Sequence, residues 1–230
     1  MTTPGWSPVR RGVLALALAA VVAAAVLVVV VVRAQQSAPA PHDAGRVNQP
    51  STSTQHHRGG SASGRDAPAP LSASRPVSIS IPAIGVRTVV NRLGLAADGT
   101  LAVPQPGPHL DQAAWFENSP TPGQPGPSII EGHVDSTAGP SVFFRLGAVK
   151  PGDRIVVRRA DGRVLTFVVN GVRDYLKTEF PTTVVYGGSA RELSVPTLRL
   201  ITCSDFDASI RHHVGNEVVY AHLVHATDPS

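Results

Sequence analysis

From residue 77 onward the chain alternates apolar and polar positions in short runs broken by Gly, Pro and Asp. Val77, Ile79 and Ile81 alternate with serines, the pattern of a half-buried strand that Pro82 ends. A second short strand follows Gly85, over Val86 to Val90. Asp98-Gly99 marks a turn before Leu101 to Val103, and Trp115-Phe116 forms a compact aromatic anchor. Residues 120 to 127 hold four prolines and two glycines and read as loop. Ser128 to Glu131 is a short apolar strand running into Gly132-His133-Val134-Asp135-Ser136, and Val142 to Leu146 reads as one helical turn. Arg154 to Arg159 and Val164 to Tyr175 are strands joined by the hairpin signal Asp161-Gly162. Thr182 to Tyr186 is another short element; Leu198 to Cys203 and Glu217 to Val224 are the last two strands. No long amphipathic helix is present, so the fold class is all-β, a barrel or a sandwich.

The N-terminal part follows other rules. Val13 to Val32 is twenty consecutive residues of Val, Ala and Leu. At a rise of about 1.5 Å each they span a hydrocarbon core of about 30 Å. A cleaved signal core is shorter, about 7–15 residues, and ends at a small-residue site. The run therefore predicts one retained transmembrane helix. Arg10 and Arg11 before it and Arg33 after it place the N-terminus in the cytoplasm and the rest outside the cell membrane. Gln35 to about Arg75 is rich in Ala, Pro, Ser, Gln, Gly and His without apolar periodicity, and reads as a disordered stalk in which His56 and His57 are solvated. The expected organisation is a cytoplasmic lead (1–12), an anchor (13–32), a stalk (33–76), a folded domain (77–226) and a tail (227–230).

Charge changes the picture only by its position. Net charge is +4, but residues 1–76 hold seven Arg against two acids, whereas residues 77–230 hold thirteen Lys plus Arg against fourteen acids. The folded part is close to neutral, which argues against a nucleic-acid partner. The single cysteine excludes an internal disulfide and, outside the cell, leaves a reactive thiol or a link to another chain.

That cysteine, Cys203, closes the run Leu198-Arg199-Leu200-Ile201-Thr202-Cys203, where alternate residues face opposite ways. Ser204, Asp205 and Asp207 signal a turn, so the thiol is expected at a strand end facing a cleft. A thiolate nucleophile needs a base or a cation beside it. His133, after a buried strand and next to Gly132, is the candidate, although His109, His222 and His225 look alike without context. Arg211, eight residues past Cys203, is a candidate oxyanion donor whose plain alternative is a solvated turn charge. Thr202 either packs and hydrogen-bonds beside the strand or shapes the site. Asp135 either orients His133 or, the favoured reading, caps its loop. No metal site or cofactor is read from the sequence.

Several segments in order resemble the sortase family, the membrane-anchored cysteine transpeptidases of Gram-positive bacteria. They are Ile81-Pro82-Ala83-Ile84-Gly85-Val86, Ile129 to Ser136, Val142-Phe143-Phe144-Arg145-Leu146, Pro151-Gly152-Asp153, and Leu198 to Cys203 with Arg211. The domain is most similar to the class F group of high-GC species. The resemblance implies an eight-stranded β-barrel with short helical turns. It implies Cys203 as nucleophile, His133 as the acid protonating the departing amine, and Arg211 with a backbone amide as oxyanion donors. The implied substrate is a surface protein with a C-terminal Leu-Pro-x-Thr-Gly-like sorting signal. The acyl acceptor is an amine of a peptidoglycan precursor or of another protein. The chain departs from the pattern at Ser204-Asp205, where relatives often carry Gly-Gly, and at Ala208-Ser209-Ile210, where they often carry Gly-His-Tyr. Ser204 is thus a candidate site-shaping residue. Two other readings share these features: an L,D-transpeptidase-like cysteine enzyme, and a non-catalytic membrane-tethered barrel that binds wall or protein ligands.

Overall fold

The structure, a computed structural model, describes residue 39 and residues 68–229. The expected anchor Val13–Val32, the cytoplasmic lead and most of the stalk lie outside the described residues. Among the described residues no helix is long and apolar enough to cross a membrane.

Ten strands form among the described residues: β1 (Pro76–Ile81), β2 (Val86–Leu93), β3 (Ala113–Phe116), β4 (Gly126–Glu131), β5 (Asp135–Ser136), β6 (Gly139–Pro140), β7 (Arg154–Arg159), β8 (Val164–Leu176), β9 (Pro196–Asp207) and β10 (His212–Ala226). Eight of them close a barrel in the order β1-β2-β3-β4-β9-β10-β8-β7, with β7 pairing back onto β1. β5 and β6 make a separate two-residue hairpin. Among the described residues helical structure is confined to short turns, including Leu146–Ala148, Lys177–Glu179 and a π-turn at Thr183–Gly187. Leu101 to Val103, expected as a strand, contributes only an isolated bridge from Leu101 to Leu95.

The barrel interior is the apolar half of each alternating strand: Ile79, Ile81, Val157, Phe167, Leu200 and Val219 are fully buried there. A second cluster lies outside the barrel wall. Ile129, Ile201 and Val218 are covered by Val185 of the π-turn and flanked by Phe116, Tyr175, Phe180, Tyr186 and Tyr220. β4 and the first seven residues of β9 are therefore buried on both faces. Even Arg199 is fully buried, over the Tyr220 ring at 4.3 Å and ion-paired with Glu192.

The folded part begins before β1. Leu71, assigned to the stalk by its composition, packs on the core and donates its N–H to Gly123 O at 2.8 Å. Arg159, 2 % exposed, explains the docking of this segment. Its guanidinium donates to Ser72 O (2.7 Å), Pro122 O (2.6 Å) and the Asp161 carboxylate (2.7 Å). A buried guanidinium needs its acceptors, and the 71–75 segment supplies one of them. A chain trimmed to begin at residue 77 should therefore unfold with about 3 kcal/mol less stability than one beginning at residue 68, as read from urea midpoints; equal midpoints would show that the segment contributes nothing.

Candidate active site

β9 does not stop at the cysteine. It runs on to Asp207 because its ladder with β10 continues, pairing Cys203 with Asn216, Ser204 with Gly215 and Asp207 with His212. Cys203 faces outward with Arg199 and Ile201, the side of the second cluster. Across the sheet Tyr175, Asn216 and Cys203 form one row.

On its other edge β9 pairs with β4 in parallel, Glu131 opposite Ile201, and Gly132 N–H extends the pairing to Ile201 O at 3.1 Å. Counting on, His133 stands across from Cys203 with about one strand spacing, roughly 5 Å, between backbones. Three contacts hold this end of β4. The buried Thr202 hydroxyl donates to Gly132 O at 2.8 Å. Phe143 N–H donates to His133 O at 3.0 Å. Val142 and Phe143 press so close that a Cβ on Gly132 would lie 2.6 Å and 2.9 Å from them, so only glycine fits. His133 Nε2 lies 2.8 Å from Pro104 O; the carbonyl can only accept, so Nε2 carries the proton.

The remaining sequence candidates are placed differently. Asp135 receives His213 Nε2 at 3.0 Å, each side chain 14 % exposed, and the His213 ring sits edge-on to Phe206 at 5.2 Å. Asp135 therefore orients His213 rather than His133 and ties the loop after β4 to the β9–β10 hairpin. The doublet His212-His213 beside the arginine was the only hint of this in the sequence. Arg211 is exposed at the hairpin tip with φ +56°, beyond the last ladder pair. Its backbone lies at least about 13 Å along the ribbon from Cys203, four residues at ~3.3 Å each. The structure thus brings Cys203, His133 and Thr202 together and leaves Arg211 apart.

Of the two residues after Cys203, the second has the unusual backbone. Asp205 adopts φ +54°, a left-handed conformation that aspartate tolerates better than most residues. Gly215 opposite makes room: a Cβ there would lie 2.5 Å from Ser204 Oγ and 2.6 Å from Asp205 Oδ2. Burial raises the pKa of Asp174 and the charge of Asp205 adds to it, while Ser204 opposes both.

The electrostatics favour neutral acids around the site. Burial pushes Glu131, two residues before His133, up to about 8. Burial, helped by Asp174 and Asp205, does the same to Glu217, the ladder partner of Thr202. The Cys203 thiol is raised first by burial; Lys177 opposes that by charge and hydrogen bond, while Asp135 and Glu131 add to it. A groove of about 530 Å³ reaches the row of Cys203 through Asn216, although Cys203 itself does not line it. Leu95, Leu101, Phe116, Phe180 and Tyr186 make it apolar, and Lys177 and Asn216 mark its polar end. Among the described residues no group of His, Cys, Asp or Glu is placed to hold a metal ion.

The family model of the sortase domain matches residues 79–224. The chain belongs to the sortase family. It is therefore a cysteine transpeptidase, and it has one cysteine. Among solved structures, sortase A from Corynebacterium diphtheriae is similar at 23 % identity and a TM-score of 0.50, covering 69 % of this chain and 65 % of that one. A lid mutant of the same enzyme gives 23 % and 0.50, over 68 % and 74 %. These likenesses show a shared fold. No curated protein matches the chain.

Two outcomes follow for stability. Glu131 and Glu217 have folded-state pKa values near 8 against an ordinary 4.5, so the folded state binds more protons across that interval. Stability is then greatest below pH 4.5 as far as these two groups are concerned, and is lost as pH rises toward 8. The melting temperature should fall between pH 5 and pH 9, and Glu217→Gln should flatten the fall; an unchanged slope in the variant would refute the assignment. Asp205→Gly should relieve the left-handed backbone and stabilise the fold by up to about 1 kcal/mol, measured by urea unfolding; a loss of stability would mean that the aspartate's contacts outweigh the strain.

Proposed function

We propose that this sortase is a membrane-anchored enzyme of the class F type that cleaves a Leu-Pro-x-Thr-Gly-like sorting signal and passes the acyl group to an amine. The observation that carries the reading is the parallel β4–β9 pairing, which sets His133 across from Cys203 beside an apolar groove. The groove suits the Leu-Pro end of such a signal, since apolar walls gain by covering apolar side chains.

Cys203 Sγ, as thiolate, attacks the threonine carbonyl carbon; the C–S bond forms and the carbonyl electron pair moves onto oxygen. The tetrahedral species collapses, the C–N bond breaks, and a protonated His133 gives its proton to the departing glycine amine. A thioester remains. An incoming amine, from a peptidoglycan precursor or another protein, attacks it, His133 recovers a proton, and the thiolate leaves. Val13 to Val32 anchors the chain, with the barrel outside the cell facing surface proteins that carry the signal. Arg211, the oxyanion donor that the family resemblance implies, would serve only after the hairpin tip folds back over the sulfur.

The test is cleavage of a fluorogenic sorting-signal library by the purified full-length chain, with mass spectrometry of the thioester. Cys203→Ala and His133→Ala should each lower cleavage by at least about 100-fold. Full activity in either variant, or no thioester with any library member, would overturn the reading.

A further inference from the structure

With Arg211 at the hairpin tip, a second cation to act beside His133 at the sulfur is found on another element, at Lys177. Lys177 begins the short turn that follows β8. Leu176 just before it pairs with Gly215, and Tyr175 pairs with Asn216, which itself pairs with Cys203. This register carries Lys177 to the Cys203 end of the groove, where it and Asn216 form the polar wall. Among the described residues Lys177 makes no ion pair, so no carboxylate competes for its charge. It is one of only two lysines in the chain. The other, Lys150, lies in the turn before β7.

We propose that Lys177 is the catalytic cation of this enzyme, its ammonium holding the Cys203 thiolate and facing the carbonyl oxygen as that thiolate attacks. The proposal rests on Cys203 being the nucleophile. The groups around the sulfur make a cation necessary. Burial disfavours its anion and the charge of Asp135 from β5 opposes it further, while Lys177 from the turn after β8 is the group that lowers its pKa. An ammonium on a flexible stem can follow the charge from sulfur to oxygen without moving the backbone, which a turn at the end of a strand permits. Lys177 keeps its proton throughout. The step needs no further reactant, since the electron pair that leaves sulfur becomes the C–S bond and the carbonyl pair becomes the oxyanion beside the ammonium.

The single cysteine gives an unambiguous readout that needs no peptide substrate. Alkylation of the full-length chain by iodoacetamide, followed from pH 6 to pH 10, reports the thiol pKa; attack by the thiolate makes the rate rise with pH through that value. Lys177→Met should move the midpoint upward and slow alkylation at pH 7.5 by roughly threefold or more. Lys177→Arg should restore the midpoint, and Lys150→Met, at the chain's other lysine, should leave it where it is. A merely structural lysine would change the melting temperature without moving the midpoint. An unmoved midpoint in Lys177→Met, or an equal upward shift in Lys150→Met, would overturn the proposal. If the chain failed to cleave any sorting peptide while the midpoint shifted as expected, the transpeptidation reading would fall and the lysine–cysteine pairing would stand.

Discussion

Two parallel backbones, β4 and β9, lie side by side at the centre of this molecule, and most of the chemistry depends on that contact. Parallel pairing means that both strands deliver their ends to the same rim. One ends in Gly132-His133; the other carries Cys203 past the same point. The Thr202 hydroxyl bound to the Gly132 carbonyl fixes how far the two run together. Because that bond is buried, the carbonyl has no water to take its place. The backbones of Cys203 and His133, 70 residues apart in sequence, are thereby held at about the spacing of neighbouring strands.

Around this contact the protein collects acids that it keeps neutral. Glu131 and Glu217 sit on either side of the nucleophile's strand and hold their protons to about pH 8. An ionised Glu131 would oppose the thiolate, and either carboxylate, once ionised, would be a buried charge without a partner. As neutral acids they line the site at modest cost. The hydrogen bond between His213 and Asp135 acts at longer range: it joins the hairpin to the loop that bears the imidazole.

The sequence carried the fold in its alternation. Each barrel strand except β3 was visible as a short apolar run with turn residues at its ends, and the apolar Ser128 to Glu131 run ahead of Gly-His marked the catalytic edge. β3 was seen only as the Trp115-Phe116 anchor because four residues give too little period to read. The extension of β9 to Asp207 was hidden because Ser, Asp and Asp read as turn formers, whereas pairing with β10 overrides that preference. Leu71 was lost in the composition of the stalk; what seats it is Arg159, far away in sequence. The partners of Asp135 and Cys203 depend on strand register across the barrel, which no local pattern encodes.

The aromatic shell over β4, β9 and β10 does two jobs at once. Phe116, Phe180 and Tyr186 wall the groove, and the same rings cover Ile129 and Ile201. Recognition and cohesion therefore draw on one set of atoms. A lineage that drifted toward a different peptide by resizing these rings would loosen the outer core in the same stroke. Changes of taste in this enzyme should arrive in compensated pairs, a new groove wall together with a new filler beneath it.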